Sequence, residues 1–211
     1  MVNEADTVES LLLDISEGTG IDAFEAAKSI GDYESVQVGK QLVEILKTAE
    51  VTDNREAAAY ALCWFSSKPK FDFILESLLD ILESRDEPEE LRGQAAEGVG
   101  YFLIGKSKGI ERAKKILLEC LRDESPAVRF WSCFAVGQAK IRAALPILED
   151  LRDNDHTFCP DWWYISEEAE DAIRGVKGLE KDLRIKINRS SPIEHRCPVT
   201  GKVRQSFKLK C

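Results

Sequence analysis

His156, Cys159 and Asp161 stand within six residues of one another in DNDHTFCPDWWYI, residues 153–165. Residues of these types suit a zinc site or a cysteine nucleophile. The Cys–His pair alone lacks the third and fourth ligands that a zinc site needs. A catalytic cysteine needs a base oriented toward it, an arrangement the sequence does not show. His195, Cys197 and Cys211 form a second loose group of ligand types near the C-terminus, at spacings too irregular to indicate a metal. No catalytic residue, metal or cofactor is therefore expected. The loop is better suited to recognition. Phe158, Trp162, Trp163 and Tyr164 cannot all turn inward from so short a segment, and Trp and Tyr dominate binding hot spots. The expectation is one tryptophan plugging an apolar core and the other facing a partner, with Asp161 and Tyr164 beside them.

A second candidate surface is acidic. LVEILK (42–47), LLDILE (78–83), LLECLR (117–122) and ILEDLR (147–152) share one pattern, with Glu44, Asp80, Glu119 and Glu149 at the same place in each. Apolar residues at i, i+1 and i+4 around an acid make an amphipathic helix with one buried stripe. Stacked copies would align the four acids in a column, expected to line an inner, concave face, with Glu76, Glu83, Glu111 and Asp150 widening it.

The elements that position both surfaces come from a repeat. RDEPEELRGQAAEGVG (85–100) aligns with RDESPAVRFWSCFAVG (122–137) at an offset of 37 residues, matching Arg85 with Arg122, Asp86 with Asp123, Arg92 with Arg129 and Gly100 with Gly137. The same step back reaches Arg55 and EAAAYALCWF, the step forward reaches ISEEAEDAIRGV, and a weaker copy is GIDAFEAAKSIG at 20–31. Each unit reads as an alanine-rich helix followed by the acid-bearing helix. One such pair cannot bury its apolar face alone, whereas stacked neighbours can. The detour at 153–165 separates the fourth acid-bearing helix from a final helix that Ser166 would cap, with Glu167 and Glu168 in its first turn.

The Asp, the turn, and the Val-Arg or Leu-Arg that opens an alanine-rich helix closing on Gly resemble the HEAT repeat family in its small bacterial form. The likeness covers about residues 18–176. It implies an all-α fold, a right-handed α-solenoid of about five helical hairpins over 1–176, followed by a basic C-terminal extension at 177–211. In the family, acid–arginine pairs form a ladder between units, which implies a structural role for Asp86, Arg92, Asp123 and Arg129. LRIKI and SFKLK in the extension alternate with the period of a strand, and PVTGK between them reads as a turn.

Charge bounds the partner. Residues 1–176 carry a net −16 and residues 177–211 a net +7 within the overall −9. An acidic body repels phosphate backbones and attracts basic proteins, so nucleic acid is not expected to bind through it. No apolar run reaches the ~20 residues needed to span a bilayer. The acidic N-terminus lacks the pattern of a secretory leader. Cys63, Cys120 and Cys133 sit among apolar residues at helical spacing, as free thiols of a reducing cytoplasmic protein would. The expected function is a non-catalytic protein–protein interaction module for a basic partner. The resemblance also allows an inhibitor or immunity protein that neutralises a basic toxin, or alternatively a bilin lyase-type enzyme subunit or chaperone-like scaffold.

Overall fold

Each repeated pattern folds into a helix, and the computed structural model describes residues 4–65, 68–104, 106, 110–159, 162–179, 194–196 and 203–205. The helices are α1 (Glu4–Glu17), α2 (Ile21–Ile30), α3 (Val36–Thr48), α4 (Thr52–Cys63), α5 (Asp72–Glu83), α6 (Glu89–Leu103), α7 (Glu111–Cys120), α8 (Pro126–Ala139), α9 (Leu145–Asn154) and α10 (Ile165–Lys177). Pro126 opens α8, where its missing N–H costs nothing. The Ser35 hydroxyl accepts from the Val38 N–H at 3.1 Å and caps α3. Gly178, at φ 71°, ends α10 in the left-handed region that glycine enters without strain.

Together these helices make an α-solenoid of five hairpins: α1 packs on α2, α3 on α4, α5 on α6, α7 on α8 and α9 on α10. The sequence reading opened each unit on the alanine-rich helix. In space each hairpin closes on that helix instead, and the described array opens on α1 at Glu4. Leu42, Leu62, Leu78, Phe102, Leu117 and Leu148 belong to one apolar core that runs through the stack. No described helix is long and apolar enough to cross a membrane.

The two rows differ in spacing. The even-numbered helices touch their neighbours closely from α2 through α10, whereas the odd-numbered ones meet only sparsely. Small residues set the difference. A Cβ added to Gly137 would lie 2.9 Å from the Ala172 Cα, and one on Gly100 would lie 3.0 Å from the Ala135 Cα. On the odd row, leucine and isoleucine side chains hold the axes apart. A curved two-row stack has its closely spaced row on the inside, so the even helices form the inner face. On that reading the helices bearing Glu44, Asp80, Glu119 and Glu149 lie on the outer face, opposite to the inner position expected for them.

Beyond the array, Glu194–Arg196 (β1) and Val203–Gln205 (β2) pair antiparallel, with His195 opposite Arg204. LRIKI and SFKLK, the expected strands, lie outside the described residues; β1 and β2 instead flank the proposed turn. Cys197 and Cys211 also lie outside the described residues.

Replacing Gly137 with alanine is expected to destabilise the fold by about 1–3 kcal/mol, because the methyl meets backbone across the α8–α10 contact. Urea denaturation measures this, and an unchanged midpoint would refute close backbone approach as the determinant of the inner row.

Candidate functional site

Arg55, Arg92 and Arg129, at the same place in successive repeats, tie the second, third and fourth hairpins each to the next. Arg55 donates to both oxygens of Glu87 at 2.7 Å and through Nε to the Leu46 carbonyl at 2.8 Å. Arg92 pairs with Asp123 at 3.2 and 2.6 Å and reaches the Leu82 carbonyl at 3.2 Å. Each of these two arginines thus caps an odd helix and bridges to an acid in the turn of the next hairpin. Arg129 continues the series onto Asp155 at 2.8 Å, inside the detour, while its Nη1 donates to the Asp123 and Glu124 carbonyls. Asp86 is exposed and makes no ion pair among the described residues, so its expected place in the ladder belongs to Glu87. The Arg92 and Asp123 side chains are only 7% and 4% exposed. Burial alone would push the Asp123 carboxyl up, but Arg92 and the Ser125 N–H outweigh it and hold it below the ordinary range. Asp155 is lowered in the same way: burial opposes, while Arg129 and Thr157 prevail.

With the arginines engaged along the ladder, the inner face carries aromatic rings and carboxylates. Phe24 lies 6.0 Å from Tyr60, Tyr60 5.9 Å from Trp64, Trp64 6.3 Å from Tyr101, and Tyr101 5.3 Å from Phe134. The series continues through Trp131 at 5.6 Å to Trp162 at 4.8 Å. One ribbon of rings thus crosses α2, α4, α6 and α8 and reaches the detour. Beside it, burial and the neighbouring Asp53 and Glu90 push the Glu56 carboxyl up to about 7. Burial also raises Glu97 to about 7, even though hydrogen bonds from Gln94, at 2.6 Å, and Tyr101 favour its charged form. No lysine or arginine forms a salt bridge with either among the described residues.

The detour folds into a tight turn. The Cys159 N–H donates to the Trp163 carbonyl at 3.0 Å, Ile165 to Thr157 at 3.0 Å, and Ser166 to Asp155 at 2.9 Å. Trp163 points inward against Phe130 and donates its indole N–H to buried Glu168 at 3.0 Å. Trp162 and Tyr164 are 37% and 47% exposed. The two tryptophans thus face different surroundings, one the core and one the surface. Asp161 and Pro160 lie outside the described residues. Ser166 is buried within the first turn of α10 and does not cap it; Tyr164 precedes the helix, and its N–H donates to Glu167 at 3.2 Å. His156 is exposed while Cys159 is buried. Among the described residues no three His, Cys, Asp or Glu side chains gather as metal ligands.

On the outer face, Arg112 binds Glu76, Asp80 and Glu83 at 2.6, 2.8 and 3.0 Å. Lys177 lies 3.5 Å from Glu149. Glu44 and Glu119 are exposed. Half of the expected column is thus neutralised by the chain itself, and the four acids form no shared inner surface. Sequence reasoning missed the ribbon and the pair Glu56 and Glu97. The signal was present: the 37-residue step aligns Tyr60 with Glu97 and Phe134, and Trp64 with Tyr101.

Residues 75–159 match the family model for HEAT repeats. The chain is similar to the crystal structure of an engineered protein determined as a structural-genomics target, at 19% identity and TM-score 0.53, covering 81% of this chain and 79% of that one. It is also similar to a crystal structure of computationally designed armadillo repeat proteins for modular peptide recognition, at 16% identity and TM-score 0.52, covering 81% and 82%. At these identities the likeness shows the fold. No curated protein matches the chain.

Arg92→Met is expected to cost about 3–5 kcal/mol by stranding the buried Asp123 carboxylate, measured from urea midpoints at neutral pH. The pH dependence separates the two kinds of acid. Asp123 and Asp155 have lowered native values, so their stabilisation holds above the unfolded carboxylate range and is lost as pH falls through the native values. Glu97 has a raised native value, so its contribution is full below an ordinary 4.5 and is lost as pH rises toward about 7. Glu97→Gln should therefore raise the melting temperature at pH 8 more than at pH 5; equal shifts at both would contradict this assignment.

Proposed function

With residues 75–159 identified as HEAT repeats in an α-solenoid, we propose that the chain is a non-catalytic module that binds a basic protein along its inner face. Helical repeat folds of this kind commonly mediate protein–protein interaction. The observation that carries the proposal is that Asp53, Glu56, Glu90 and Glu97 stand on α4 and α6, the helices that bear the half-buried Tyr60 and Tyr101, and that none of the four has a salt-bridging cation among the described residues. Asp53 and Glu90 add their charge to the burial that raises Glu56, and an incoming cation relieves that repulsion. The net −16 of residues 1–176 extends the attraction and disfavours a nucleic-acid partner. A similar fold described as serving modular peptide recognition supports an extended segment as the bound form. The finer form of the reading is an inhibitor that occupies a basic toxin domain, supported by the charge alone. Trp162 and Tyr164 would extend the contact at the C-terminal end of the ribbon. The outer acids Glu44 and Glu119 would add only long-range attraction.

Capture of partners from the source cell on the immobilised chain, compared with the Glu56→Lys, Glu90→Lys double variant, tests this proposal. The expected partner has a basic isoelectric point and elutes as ionic strength rises past about 0.15 M, where screening acts over ~8 Å. The double variant should lose it while still melting cooperatively. An acidic partner, or recovery that the double reversal leaves unchanged, would end the proposal.

A further inference from the structure

The inner face is not uniform along its length. At α4 and α6, Trp64 is 54% exposed although two aromatic rings lie close by. Tyr60 meets it edge-on at 5.9 Å and 73°, and Tyr101 stacks beside it at 6.3 Å and 23°. Tyr101 in turn touches Phe134 and hydrogen-bonds Glu97. The repeat explains this grouping. Tyr60 and Glu97 occupy one position on adjacent helices, and Trp64 and Tyr101 occupy the position one turn further along. A single carboxylate therefore stands within a small field of aromatic rings, on the row where close helix packing brings them together.

We infer that Tyr60, Trp64, Tyr101 and Glu97 form a seat for one arginine side chain carried on an extended segment of the partner. The inference rests on the binding-module reading above and assigns the site within it. An open indole face attracts a cation through its quadrupole. A guanidinium is planar, stacks on aromatic rings and sheds water more readily than an ammonium, so it satisfies both the rings and the carboxylate. Glu97 supplies the opposite charge, and Gln94, held to it at 2.6 Å, fixes its direction. Asp53, Glu56 and Glu90 on the same two helices add the wider field that draws a basic chain onto the face. Charge complementarity thus selects the occupant: a neutral apolar side chain would cover the rings but leave Glu97 buried without a counter-ion.

Acetyl-arginine amide, titrated into the 15N-labelled full chain, tests the seat directly. The indole N–H of Trp64 is assigned from its disappearance in Trp64→Phe. The expected result is a saturable shift at that indole, with a Kd of roughly millimolar order for so small a probe. Acetyl-citrulline amide, uncharged and nearly isosteric, should leave it unmoved. Glu97→Gln should weaken the arginine probe by about fivefold or more. An unresponsive Trp64 indole, an equal response to citrulline, unchanged affinity in Glu97→Gln, or tighter binding of acetyl-trimethyllysine amide would each overturn the assignment. The outcome separates from that of the general reading. Charge-dependent capture of a basic protein with a silent Trp64 indole would remove the seat alone. A saturating Trp64 shift without any basic partner would remove the module reading and keep the seat.

Discussion

Backbone-to-backbone contact between the inner helices is the constraint on which the remaining architecture depends. Gly100, Gly137 and Gly175 leave room for it: a methyl on Gly175 would stand 3.0 Å from the Gly137 carbonyl oxygen. Because these axes approach, the alanine-rich row is shorter along the stack than the leucine-rich row, and the array curves. The same closeness brings side chains from different helices into ring contact. Rings on α4 and α6 more widely separated would present isolated patches, whereas here each ring of the ribbon lies within 6.3 Å of the next.

The arginine ladder and the inner acids are two sides of one distribution of charge. Arg55, Arg92 and Arg129 are all committed to acids at the hairpin junctions and to backbone carbonyls. On the outer row, Arg112 is likewise engaged, with three carboxylates. Glu87 is paired, and Asp123 and Asp155 are both paired and lowered, while Glu56 and Glu97 are raised. The carboxylates of the ladder and those of the inner face thus differ in whether a cation meets them, not in residue type.

The architecture was legible in the sequence because repetition and the apolar stripe act locally: the 37-residue offset and the LVEILK-type pattern located the helices and their stacking. The pairing frame was less accessible, since a repeat read from its most conspicuous motif can be cut at either turn. The assignment of inner and outer rows was less legible for a physical reason. It depends on how closely helix axes approach, which glycine and alanine content controls, whereas the amphipathic pattern reports only which stripe is buried. Glu87 stands where Asp86 was expected in the ladder, whereas one repeat on Asp123 itself pairs with Arg92. The ribbon escaped notice because Tyr60, Trp64 and Tyr101 sit in helices whose other faces are core, where aromatic residues are the ordinary filling. Trp162 and Trp163, in contrast, stood out in a loop, and their division between surface and core followed from the lack of room for both.

Arg112 gives the outer row an uneven mechanical character. Its guanidinium reaches from α7 to three carboxylates on α5, spanning a gap that the helices themselves hardly bridge. Flexing that widens the outer gap must stretch those ionic links, while flexing between α1 and α3 meets no such tether among the described residues. The middle of the outer row thus carries an ionic restraint that dissolved salt would weaken.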